Sequence, residues 1–177
     1  MTDERFCFKI GSMFRQDLAL LPIFNDLNRQ QLKLIEPLLK PVRFAANEVI
    51  FEQGQQAEYL YILTEGKVVV RYKPYDGPPL TVARIEPGGI FGWSSALQRE
   101  EYTSSAAAEE AGEAYQVRGQ RLQELCCQDP ETGSILLDRL AGVIAERLRT
   151  THSTIVAILG KGMDVNGDCW KDEQDER

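Results

Sequence analysis

The chain is poor in the residues that most metal and acid–base chemistry needs. It holds one histidine, His152, in 177 residues. A multi-histidine metal site and a Ser-His-Asp triad are therefore excluded, except through His152 itself. Four cysteines, Cys7, Cys126, Cys127 and Cys169, show no C-x-x-C spacing. Adjacent Cys126 and Cys127 are poorly placed to bond to each other, and Cys7 alone gives no N-terminal cluster for iron–sulfur. They read as reduced structural thiols. No apolar run approaches the ~20 residues needed to cross a bilayer, so no membrane partner is expected. Asp3 and Glu4 near the start, with no apolar segment of the signal-peptide kind, predict a cytoplasmic protein. Positive charge is also short: 20 Lys and Arg against 27 Asp and Glu give a net charge of −7. Neutralising phosphates requires a basic field, so direct nucleic-acid binding is not expected. The Glu109-Glu110 pair falls in a turn with no pocket signal beside it. An enzyme is not expected.

What remains is ordinary for one soluble domain: 43% hydrophobic and 27% charged residues. An extension over 1–15 precedes a helical lead-in over 15–40. Leu18, Leu20, Leu21 and Phe24 lead to Asn28, an N-cap candidate, then Leu32, Ile35, Leu38 and Leu39 at helical spacing, with Pro41 as the stop. From about 42 to 118 the pattern becomes short strands punctuated by Gly, Pro, Asn and Asp. Val49-Ile50-Phe51 runs to a turn at Gly54. Tyr59 to Leu63 and Lys67 to Tyr72 flank Glu65-Gly66. Leu80 to Ile85 follows Asp76-Gly77-Pro78-Pro79, and Pro87-Gly88-Gly89 precedes Ile90-Phe91-Gly92. Two last strands are expected near 103–108 and 112–118. Many short, evenly spaced strands predict a mainly β fold, an antiparallel β-roll or jelly-roll, with flanking helices.

The C-terminal third is helical again. A short helix is expected over 119–128, then a long one over about 131–159 behind Asp129-Pro130. Leu137, Leu140, Ile144, Leu148, Thr151, Ile155 and Ile158 step by three and four, which approximates a heptad seam and predicts a homodimer. Gly160 and Gly162 are expected to end the helix. The stretch from Asp164 to Arg177 carries six acids against two bases and is expected to be disordered, within a tail spanning 161–177.

The order of the turns carries a resemblance. Ile50-Phe51-x-x-Gly54, Tyr61-Ile62-x-x-x-Gly66-x-Val68 and Pro87-Gly88-x-x-Phe91-Gly92 together resemble the cyclic-nucleotide-binding domain family over about residues 20–160, within a domain expected over 16–160. Gly54, Gly66 and Gly88 stand where the hairpins need positive φ or a Cβ-free approach. The resemblance implies a ligand seated beyond the Phe-Gly step, where backbone N–H groups meet a cyclic phosphate. It also implies a Glu after the Gly for the ribose hydroxyl and an Arg further on for the phosphate.

This chain departs at both positions. Trp93 stands where the Glu belongs, and Tyr102 or Thr103 where the Arg belongs; Arg99 is the nearest cation that could swing in. A Gly-Trp-Ser step resembles small stand-alone members of the family. The roughly 17 residues after Gly160 are too few for a helix-turn-helix. The candidate ligand residues are Phe91, Gly92, Trp93, Ser94, Ser95, Ala96, Tyr102, Thr103 and Ser104, with Thr151 covering the mouth from the long helix. Trp93 is either a stacking wall or a plug, and the serines either donate to a ligand or cap the local turn. Two functions stay open. One is a regulatory sensor that takes a cyclic nucleotide or another small ligand and has no resident cofactor. The other is a ligand-independent module with a plugged pocket, docking a partner protein.

Overall fold

The computed structural model describes residues 18–164, with side chains given up to 150. The expected extension over 1–15 and the acidic stretch beyond Asp164 lie outside the described residues. So does the side chain of Thr151.

Among the described residues, eight strands form two four-stranded antiparallel sheets. The first has the order β1-β8-β3-β6, from Lys40–Phe44 (β1), Gly112–Arg118 (β8), Tyr59–Glu65 (β3) and Ile90–Phe91 (β6). The second has the order β2-β7-β4-β5, from Val49–Phe51 (β2), Ser105–Ala108 (β7), Val68–Tyr72 (β4) and Leu80–Ile85 (β5). The two sheets close over a core of Phe44, Phe51, Tyr61, Leu63, Val70 and Phe91, among others. This is the β-roll that the alternating strands and glycine turns predict. Gly54, Gly66 and Gly88 adopt φ of 82°, 82° and 86°. At Gly66 a Cβ would stand 2.5 Å from the Ala111 carbonyl oxygen, so the β3–β4 turn admits no side chain there.

Strand β3 explains its own unbroken apolar run. Tyr61 and Leu63 face the roll interior, while Leu60 and Ile62 face the helices, so both faces are covered. On the helical side they meet Ile23, Phe24, Ile35, Leu136 and Leu140 along a nearly closed apolar seam with only about 20 Å³ of free space. The helical elements are α1 (Arg29–Ile35), α2 (Gly119–Gln128) and α3 (Pro130–Asp164). Asn28 caps α1 as expected: its side chain accepts from the Gln30 and Gln31 amides, and Gln31 bonds back to the Asn28 amide. Asp129 caps α3, accepting from the Thr132 amide at 3.0 Å. No described helix is long and apolar enough to cross a membrane.

Three expectations need correction. The lead-in is not continuous helix: 3₁₀ turns at Leu18–Leu20, Pro22–Phe24 and Glu36–Leu38 flank the seven residues of α1. Two of those 3₁₀ turns begin around prolines, which suit a first helical position but break a longer run. Pro41 stops nothing; it sits within β1, an edge strand where its missing N–H costs no ladder bond. The long helix also passes through Gly160 and Gly162 to Asp164. A helical glycine costs only about 1 kcal/mol relative to Ala, which does not by itself end a helix.

The chain divides into two compact units, one up to Ala141 and one from Gly142. Within the first, Leu140 is buried to 3% exposure on the roll-facing side of α3 and is thereby withdrawn from the expected seam. Leu137 remains half-exposed. Within the second, Leu148 is 67% exposed.

Candidate functional site

The site is built where β6 ends. Phe91, 1% exposed, anchors the strand end by stacking on Tyr61 with ring centroids 4.9 Å apart. Gly92 then turns the chain at φ 74°, and a Cβ there would stand 2.8 Å from the Tyr59 carbonyl oxygen. The cassette that follows folds back on itself. Ser95 donates its hydroxyl to the Gly92 carbonyl at 3.0 Å, and the Ser95 amide reaches the same oxygen at 3.3 Å. The Leu97 amide bonds to the Trp93 carbonyl and the Arg99 amide to the Ser94 carbonyl, both at 3.0 Å. These three amides are engaged within the cassette. Ser94, Ser95 and Ala96 are buried, and Trp93 is half-buried. The Ser95 hydroxyl thus closes the local turn.

Tyr102 lies within the buried core of the roll. It is 4% exposed, and its ring lies on Phe51 with centroids 3.8 Å apart and planes 15° from parallel. Phe51 also stacks on Tyr61 and Phe91, so four aromatic rings run through the interior. The Tyr102 hydroxyl donates to the Tyr59 carbonyl at 2.8 Å and accepts from the Tyr59 amide at 3.0 Å. Its proton and one of its acceptor positions are both used by the main chain of Tyr59. The backbone around it is fastened as well: the Gly54 amide bonds to the Tyr102 carbonyl, and the Tyr102 amide to the Gln55 carbonyl, at 2.9 Å each. The Ala57 amide reaches Glu100, and Gln56 and Glu101 form a β-bridge.

Electrostatically the interior is neutral. The buried cluster consists of apolar side chains and tyrosines. Burial pushes the Tyr61 phenol well above its ordinary value of 10.0, and neighbouring Tyr102 and Tyr59 push it further the same way. Burial raises Tyr102 too, against the lowering effect of its bond to the Tyr59 backbone. Both rings are held as neutral phenols. Arg99 is exposed at the end of the cassette. Arg118, also outside, donates to the Tyr59 phenol at 3.3 Å and lies 5.6 Å from that ring's centroid.

The structure thus brings Phe91, Gly92, Trp93, Ser94, Ser95, Ala96 and Tyr102 into or beside one region. Thr103 faces solvent, and Ser104 is half-buried at the start of the approach to β7. Phe51, Tyr59 and Tyr61 complete the aromatic interior without having been singled out as ligand residues. Their strand parity was the available signal: alternate positions of β3 face the roll. Among the described residues no group of His, Cys, Asp and Glu is placed to hold a metal ion.

Comparison with known proteins converges on one family. A family model for the cyclic nucleotide-binding domain matches residues 41–129. A candidate cyclic nucleotide-binding protein from Geobacter metallireducens GS-15 is 32% identical, with 75% of this chain and 96% of that one superposed at a TM-score of 0.67. The CRP-like cAMP-activated global transcriptional regulator of Mycobacterium tuberculosis is 26% identical over 142 residues. That match covers 80% of this chain and 62% of the regulator, so the chain spans about three-fifths of the relative's length. A cyclic nucleotide-binding domain from Methylobacillus flagellatus KT shares the fold at a TM-score of 0.75 with 17% identity, over 82% of this chain and 84% of that one.

Proposed function

The chain belongs to the cyclic nucleotide-binding domain family, and from that premise we propose that it is a non-catalytic regulatory module whose roll interior is filled by its own Tyr102 instead of a cyclic nucleotide. The observation that carries this reading is the Tyr102 ring, stacked 3.8 Å from Phe51 with its hydroxyl bonded in both directions to Tyr59. A nucleotide entering the roll would have to break both bonds and lift the ring from its stack. It would then bring a phosphodiester into a cluster of apolar and phenolic groups. Burying an anion without a cation partner costs several kcal/mol on the order of magnitude. The Gly-Trp-Ser step and the missing Arg fit the same reading.

Regulation then runs through surfaces. Leu137 and Leu148, both exposed, are helix-spaced apolar positions that support a homodimer through α3. The partner chemistry is a second copy of the chain, with a further protein docked on the pair; neither nucleic acid nor membrane is engaged directly. Cyclic AMP and cyclic GMP are expected to leave the thermal midpoint unmoved, both for the wild type and for Trp93→Ala. Nucleotide stabilisation that appears only in Trp93→Ala would transfer the plugging role from Tyr102 to Trp93.

A further inference from the structure

Outside the roll, a cleft of about 460 Å³ opens between the loop before β3, the far end of the cassette and the first turn of α2. Its volume lies within the ~300–1,000 Å³ usual for small-molecule sites. Arg99 and Glu100 from the cassette, Arg118 from the end of β8, and Gln98, Gln120 and Gln123 are among the residues that line it. The two arginines are not equivalent. Arg118 is already held, 3.6 Å from the Glu58 carboxylate and bonded to the Tyr59 phenol, and that phenol is the leading cause holding its guanidinium above the ordinary range. Arg99 and Glu100 are exposed, and neither side chain has an ion-pair or hydrogen-bond partner among the described residues. They do not pair with each other either.

The cleft therefore presents one free cation and one free anion, surrounded by amides that both donate and accept. This combination selects among ligand charges. A dianion on Arg99 would face the carboxylates of Glu100 and Glu58. A diamine on Glu100 would face Arg99 and Arg118. A molecule carrying one charge of each sign meets neither repulsion and satisfies both free groups. We infer that the cleft binds a small zwitterion of the amino-acid or dipeptide type. Its carboxylate pairs with Arg99, its ammonium with Glu100, and its amide with the glutamines. A guanidinium–carboxylate contact of this kind is charge-assisted and can be bidentate. The inference does not depend on what fills the roll interior, because the site lies outside it and is already open.

Saturation-transfer NMR on the full chain, with L-glutamine and glycylglycine as probes, tests this. Acetate and ethylamine serve as the one-charge controls. Transfer is expected to both probes and to neither control. Arg99→Gln and Glu100→Gln, both at exposed positions, are each expected to weaken binding about tenfold or more with the unfolding midpoint unchanged. No transfer to either probe overturns the inference. So does transfer that both variants leave untouched, or acetate binding as well as the zwitterions. Because the readout involves no nucleotide, its failure leaves the Tyr102 reading standing, and the converse also holds.

Discussion

Replacing Tyr102 separates the two things it does. Tyr102→Phe keeps the ring on Phe51 but removes the hydroxyl that bridges the Tyr59 amide and carbonyl at 3.0 and 2.8 Å. At 4% exposure little water can reach those groups, so the loss should be about 1–3 kcal/mol. Tyr102→Ala removes the ring as well and leaves a cavity against Phe51 and Tyr61. Aromatic-to-alanine changes in a core cost about 3–5 kcal/mol. For a chain of this size about 1 kcal/mol moves the thermal midpoint by roughly 2–4 °C, which puts the phenylalanine variant about 2–12 °C below the wild type. Urea unfolding followed by far-ultraviolet circular dichroism gives both differences, provided the denaturant slope stays constant across the three proteins. The order wild type, Phe, Ala with a clear gap at each step is the expected result. A phenylalanine variant equal to the wild type, together with an alanine variant losing less than about 1 kcal/mol, would place the ring outside the core and refute the account.

Further expectations concern the turn, the pH range and the helix. Gly92→Ala forces a side chain into φ 74° and 2.8 Å from the Tyr59 carbonyl oxygen, and should cost about 1–3 kcal/mol or more in the same unfolding assay. Tyr61 and Tyr102 both have folded values raised above the ordinary 10.0. Above that ordinary value the unfolded chain gives up these protons before the folded one does. Their contribution is therefore full below about pH 10 and declines as pH rises beyond it, which an alkaline series of urea midpoints would read as a falling limb. A flat series across that range would contradict the burial of both phenols. Leu148→Asp places a charge at an exposed seam position, and light scattering at micromolar concentration should change from dimer to monomer, whereas a wild type already monomeric would remove the seam.

Much of the fold was legible because two signals coincide. Apolar runs such as Tyr59–Leu63 mark strands, and Gly54, Gly66 and Gly88 mark turns that only a residue without Cβ enters easily. The lead-in was less legible: leucines at helical spacing do not distinguish a helix from consecutive 3₁₀ turns, and Pro22 and Pro37 favour the latter. Leu140 fits a heptad seam by spacing, but spacing cannot say whether a helix face meets its own roll or another chain. The cassette was readable as a location, from Phe91-Gly92 onward. Its occupant was not, since Tyr102 and Thr103 were equal candidates for one role. The alternation of β7 could have divided them. Ala106 and Ala108 face the interior, and counting back by twos puts Tyr102 inside and Thr103 outside. The cleft had no periodic signal at all, because it collects glutamines and charges from three separate segments.

We propose that Tyr102 fills the roll interior in place of a cyclic nucleotide. Calorimetric titration of cyclic AMP, and separately of cyclic GMP, into the wild-type chain tests it most directly. No heat of binding is expected for either nucleotide at micromolar protein. Saturable binding of either one, at micromolar affinity or tighter, would contradict it.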